Sequence, residues 1–226
     1  MDELEKNRKS LNKRQTELRR VLTSFKEHDR AIEMFLRQHA MLHAAEMAGT
    51  GAWSFEDAIL ADMSEDQIRC IPRNCEHSVA WLFWHMARIE DTAMNLLVAG
   101  DTQVLNQGNW LEQMKVNFRD TGNEMVQGDM AELSAAIDIP ALRAYRVAVG
   151  RRTQQIVKRL APEDLKARVD PARLQRVMEE GALVEAASGI RDYWSKRTIA
   201  GLLLMPPTRH NLVHLNEALR LKKRKQ

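Results

Sequence analysis

The sequence predicts an all-α fold, a four-helix bundle with long crossover connections and an extended N-terminal helix. Leu, Ala, Met, Glu and Arg are plentiful, whereas only 10 glycines and 6 prolines occur in 226 residues, a balance that favours helices. Aromatic residues are 5% of the chain against 44% hydrophobic, which argues against a β-sandwich. Apolar positions recur at helical spacing through the long stretches between turn signals. The length suits one domain with a substantial core.

From Asp2 to about Ala48 there is almost no helix breaker, and Leu4, Leu11, Leu18, Phe25 and Ile32 recur every seven residues amid dense charge. That pattern predicts one long amphipathic helix ended by Gly49 to Gly51. Residues 1–30 form a charged extension too polar on its other faces to be core. It is expected to project, to cap the bundle or to meet a second copy, which makes a homodimer the expected assembly. The bundle domain then covers 31–222, and 223–226 is a basic solvated tail.

Ser54 and Ser64 open short helical pieces, the second with capping-box spacing to Gln67. Glu76 to Ala99 is apolar nearly all round and stops at Gly100, as expected of a fully buried second main helix. Residues 101–138 read as a long, partly helical crossover. Asp138 and Pro140 start a third helix that runs to about Leu160. After short pieces over 161–190, a helical approach is expected to break at Pro206-Pro207, with Thr208 capping a last main helix to about Leu221.

Charge and cysteine content exclude several functions. The 34 basic and 31 acidic residues are interspersed for a net +3, so nucleic acid is not an expected partner. No apolar run approaches the roughly 20 residues of a membrane span, and Met1 leads into Asp, Glu and Lys rather than a signal core. The expected location is the cytoplasm, with no membrane partner. Cys70 and Cys75 are too few for a disulfide framework and read as free thiols.

The chemistry is in the histidines. His85 shares a helical stripe with Trp81, Ile89 and Thr92 and by itself reads as a hydrogen-bonded core histidine. His210, His214 and Glu217 stand at i, i+4 and i+7 on one face of the last helix, where two imidazoles can share an ion. The pair alone is moderately specific, since such pairs also occur as surface or structural histidines. A place in the first turn after Thr208 would favour a neutral His210. His39 and His43 form a competing pair one turn apart. They read as a possible pocket or second site, but preferably as one residue facing the interior and one facing solvent. His28 and His77 read as solvated or capping residues.

Three segments together resemble the DinB/YfiT-like superfamily of metalloenzymes: NCEHSVAWLFWHMARIEDTAMNLLVAG, IPALRAYRVAVGRRTQQIVKRL and LLLMPPTRHNLVHLNEALR. The resemblance covers roughly residues 30–222. It implies one divalent metal ion, zinc or nickel, held by His85, His210 and His214. Many members carry glutamine where this chain has Glu217, which leaves that carboxylate as a catalytic base, a support for the ligands or a partner for an arginine. Relatives that transfer low-molecular-weight thiols imply a thiolate directed at a small electrophilic substrate, with activated water as the variant. Arg88 and Arg209 then become candidates to hold a substrate carboxylate, against the plainer reading of surface ion pairs. The rival to an enzyme is a metal-stapled structural or partner-binding module.

Overall fold

The computed structural model describes residues 3–24 and 26–224. Among them there is no strand, only an isolated antiparallel bridge between Arg168 and Thr198. The N-terminal segment is a helical hairpin rather than one rod: α1 covers Glu3–Ser24 and α2 covers His28–Leu42, packed against each other. Phe25, one of the heptad positions, lies outside the described residues. The physical reason for the hairpin lies in its apolar stripe. Leu18, Val21 and Leu22 of α1 and Ala31 and Phe35 of α2 enter one core cluster, and Leu11 enters the other main one. A single straight helix would have left these side chains in water, at about 1.5–3 kcal/mol each. The ground for expecting a second copy against this stripe therefore disappears, because its leucines have partners inside the chain.

A short α3 (Ala45–Ala48) ends on Gly49 in the left-handed conformation. Helices α4 (Phe55–Leu60) and α5 (Glu65–Arg69) begin on Ser54 and Ser64 as their sequences require, and α5 has the complete Ser64–Gln67 capping box. Helix α6 spans Val79–Asp91 from the Ser78 cap and is buried over its whole length. It continues as a π-helical segment, Thr92–Ala99, that stops at Gly100 with φ +70. The crossover holds α7 (Trp110–Met114) and α8 (Gln127–Ala136). Helix α9 (Ile139–Val157) starts with Asp138 accepting from the Ala141 amide and Pro140 in the first turn.

The C-terminal part consists of α10 (Pro171–Glu179), α11 (Ser188–Ser195), α12 (Ile199–Leu203) and α13 (Asn211–Lys223). Pro206-Pro207 does not break the chain between the last two. Met205–His210 forms a π-helical turn that joins α12 to α13. A proline removes an amide donor and crowds the carbonyl four residues back, and the wider turn accommodates two in succession. Thr208 is accordingly not an N-cap; its hydroxyl donates to the Leu203 carbonyl at 3.0 Å. His210 is therefore inside a continuous helix, and the dipole argument for its neutral form does not apply. Helix α1 supports this turn directly, because Gln15 Nε2 donates to the Leu204 carbonyl at 3.0 Å and to Thr208 Oγ1 at 3.2 Å.

Helices α2, α6, α9 and α13 make up the bundle, with α6 against both α9 and α13 and with α2 against both of those. Removing Glu3–Ser24 should leave an aggregation-prone or partly unfolded chain. The milder Leu18→Ala should lower stability in urea by about 2–5 kcal/mol, as for other buried leucines. A truncated chain that unfolds at the parent's urea midpoint would show that α1 is an appendage.

Candidate metal centre

His85 lies in the middle of α6, buried, and Nδ1 donates to the Thr121 carbonyl at 2.5 Å. That contact requires the 121–123 loop to press on the helix. Gly122 makes it possible with φ +77; a Cβ there would come within 2.5 Å of the Trp84 ring. With the proton held on Nδ1, the Nε2 lone pair of His85 points away from the loop, toward α13. There it faces His210 Nε2 at 3.1 Å. His214, one turn further along, has its ring 5.1 Å from that of His85 and 4.5 Å from that of His210.

One ligating nitrogen from each of the three histidines lies within 4.8 Å of the others. Two nitrogens each about 2.1 Å from one ion stand roughly 3 Å apart when they subtend near a right angle, which matches the His85–His210 pair. Burial pushes His85 down to about 3, with His214 adding to the effect. Burial likewise holds His210 well below the usual histidine range. Both are thus neutral at ordinary pH, the form that binds metal. His210 Nδ1 is buried without a hydrogen-bond partner among the described residues, so its ring is the least restrained of the three.

Glu217 supports the third ring. One carboxylate oxygen accepts from His214 Nδ1 at 3.1 Å and the other from His77 Nδ1 at 2.8 Å. Burial works against its charge, but these two hydrogen bonds and the nearby imidazoles hold it at about 2. His77 is partly exposed but is not a cap: its ring stacks on Trp81 at 4.1 Å, and Trp81 stacks on His85 at 4.7 Å. The spacing of 77, 81 and 85, one turn apart each time, was the available signal for this residue. Beside the stack is a cavity of about 420 Å³ lined by His77, Trp81, Gly122, Met125 and Met130, among others, which adjoins the centre through Trp81 and is lined by none of the three candidate ligands.

A second cluster is formed by His39, His43 and Glu90. Both histidines face the interior, so neither points to solvent as expected for one of them. Their Nε2 atoms lie 2.8 and 3.0 Å from the two oxygens of Glu90. Thr153 donates to the first oxygen and Asn211 to the second, each at 2.7 Å. Burial opposes the charge on Glu90, but His43 and His39 outweigh it and keep the carboxyl well below its usual range. The sequence reading missed Glu90 because a lone glutamate in an apolar helix has no partner within its own segment.

The two arginines are elsewhere. Arg88 is buried, and its five N–H donors are taken by the Arg119 carbonyl, Asp91, Tyr145 and Gln103. It is neither a surface ion pair nor free to hold a substrate carboxylate. Arg209 is exposed and lines a different cavity, which includes none of the histidines.

The DinB superfamily profile matches residues 48–216, a span that includes His85, Glu90, His210 and His214. The chain belongs to the DinB superfamily. Helices α1 and α2, with His39 and His43, precede the matched region, and Glu217 follows it by one residue. No curated protein matches the chain. This DinB protein thus carries a candidate three-histidine metal centre on two helical segments, α6 and the joined π turn and α13, with all three histidines inside the matched residues.

The two clusters should separate experimentally. Replacing His210 and His214 with alanine should abolish about stoichiometric metal measured by elemental analysis. Replacing His39 and His43 should leave the metal and lower the urea midpoint, and Glu90→Gln should cost about 3–5 kcal/mol, as for other broken buried charge networks. Metal lost with His39 and His43 but kept without His210 and His214 would move the centre to the Glu90 cluster.

Proposed function

We propose that this protein is a divalent-metal-dependent enzyme that activates a thiol or water for attack on a small electrophilic substrate, with zinc or nickel at His85, His210 and His214. The observation that carries the reading is the donor set. Three imidazoles converge without a protein carboxylate among them, a number of ligands typical of centres that keep a position for a reactant. Imidazole nitrogen suits zinc and nickel alike. When bound, such an ion supplies a Lewis acid that lowers the acidity constant of a thiol or water toward neutrality.

The chain's own residues define the rest. The Thr121 carbonyl and Glu217 each engage Nδ1, of His85 and His214 respectively, which leaves the Nε2 atoms of both available as ligands. An orienting acceptor of this kind commonly contributes ten- to a hundredfold to metal affinity. With its carboxyl at about 2, Glu217 is too weakly basic to serve well as a general base near neutral pH, and positioning is its better role. His77 holds one nitrogen on Glu217 and leaves the other free beside the cavity, where it can accept a proton from an approaching nucleophile. The apolar wall of Trp81, Met125 and Met130 suits an uncharged portion of the substrate.

The staple reading is weaker for a structural reason. The bundle helices are already tied at Glu90, so holding them together does not require an ion a short distance away. The test is a thiol-consumption and ester-hydrolysis screen on metal-loaded protein. Glu217→Gln should weaken metal affinity about ten- to a hundredfold, and at saturating metal should retain most turnover. His77→Gln should keep metal and lower turnover about a hundredfold. A metal-loaded parent with no turnover on any thiol or ester, and no exchangeable coordination position, would replace the enzyme with the staple.

A further inference from the structure

We infer that the protein has a second ligand site, for a small phosphate-bearing anion, in the cavity between α1 and the C-terminal helices. This goes beyond the proposed metal chemistry and rests on different residues. The cavity is about 500 Å³ and is lined by Arg19, Arg197 and Arg209 together with Asn12, Gln15 and Tyr193, among others. That volume lies within the range of small-molecule sites, roughly 300–1,000 Å³. No aspartate or glutamate is among its described lining residues. None of the three arginines forms an ion pair among the described residues, in a chain whose surface arginines are often paired with carboxylates.

Arg197 shows most clearly that the cavity is built for an anion. Its guanidinium lies 3.9 Å over the Tyr193 ring, which fixes the plane of the fork and leaves its edge for a ligand. Its Nε is buried with no hydrogen-bond partner, an uncompensated donor of the kind that folded proteins seldom leave. Arg209 has only a long 3.4 Å contact to Asn12 Oδ1. Three positive charges around one cavity repel each other, and an oxyanion offering several acceptors to planar guanidinium groups relieves both the repulsion and the orphaned Nε. Phosphate carries more charge per group than a carboxylate and offers three acceptor oxygens, which fits three guanidinium donors better.

The cavity exists only because α1 folds back on the bundle. Arg19, Asn12 and Gln15 come from α1, outside the region matched by the family profile. Gln15 also holds Leu204, just before the π turn, and Thr208 within the turn that leads to His210, so an occupant would rest on the support of a metal-centre histidine.

The test is calorimetric titration of the full chain with inorganic pyrophosphate at physiological ionic strength. It is run on the parent, on Arg19→Ala/Arg209→Ala, on Arg197→Gln and on His210→Ala/His214→Ala. The inference expects saturable one-to-one binding, weakened at least about tenfold in each arginine variant and unchanged in the histidine variant. Arg19 and Arg209 are exposed, so their replacement leaves folding intact even if Arg197→Gln does not. Absence of saturable binding to the parent at millimolar pyrophosphate would overturn the inference. So would binding lost with the histidines, which would place the anion on the metal centre. A single-stranded oligonucleotide that binds tighter than pyrophosphate and loses affinity in the same arginine variants would also overturn it, by making the face a polynucleotide surface. Failure in any of these ways leaves the metal-centre reading untouched, because that reading is tested by metal content and turnover.

Discussion

The carboxylate of Glu90 is the point on which the arrangement of the bundle depends. It projects from α6 and accepts hydrogen bonds from His39 of α2, His43 just after that helix, Thr153 of α9 and Asn211 of α13. A charge removed from water is tolerated only when its hydrogen-bonding capacity is met, and here the four donors come from all the other helices that enclose it. The network is therefore directional in a way that hydrophobic contact is not: each of those helices must present a particular residue at a particular depth and rotation. Because Asn211 immediately follows His210, the register that satisfies Glu90 is also the register that brings His210 against His85.

A second buried charge network sets the other face of α6. Asp91 accepts from Arg88, Tyr145 and the backbone amides of Val104 and Leu105, while Arg88 holds the Arg119 carbonyl. This draws the crossover onto α6 just before Thr121 reaches His85. The two networks thus restrain the candidate centre from both sides without contributing a ligand to it. In a centre that must hold its nitrogens to a few tenths of an ångström, such support matters as much as the identity of the ligands.

The π turn at Met205–His210 links the third restraint to the same site. Pro207 leaves the Leu203 carbonyl without its usual amide donor, and the Thr208 hydroxyl supplies a replacement, while the side chains of Gln15 and Asn211 add hydrogen bonds at Leu204 and Pro207 on either side. A helix outside the region matched by the family profile thereby became part of the scaffold that presents a family-region histidine. It also brings Arg19 toward Arg197 and Arg209 and creates a polar cavity on a face that the bundle helices alone would not enclose.

Much of this was legible in the sequence, for a local reason. Helix existence, the Ser54, Ser64 and Asp138 caps and the Gly100 stop depend on residues within a few positions of one another, and so does the alignment of His210 with His214. Their physics is complete inside a short segment. The full burial of α6 followed from a stretch with no polar face. What only the tertiary structure decided involves groups far apart in the chain. The turn that folds α1 back is determined by which core its leucines can reach, the partner of Glu90 by three other helices, and the fate of Arg88 by a loop thirty residues away. Pro206-Pro207 shows the limit from the other direction. Locally a double proline reads as a break, and the chain passes through it as a wider turn in which Thr208 bonds the Leu203 carbonyl and Gln15, from a distant helix, holds Leu204 and Thr208.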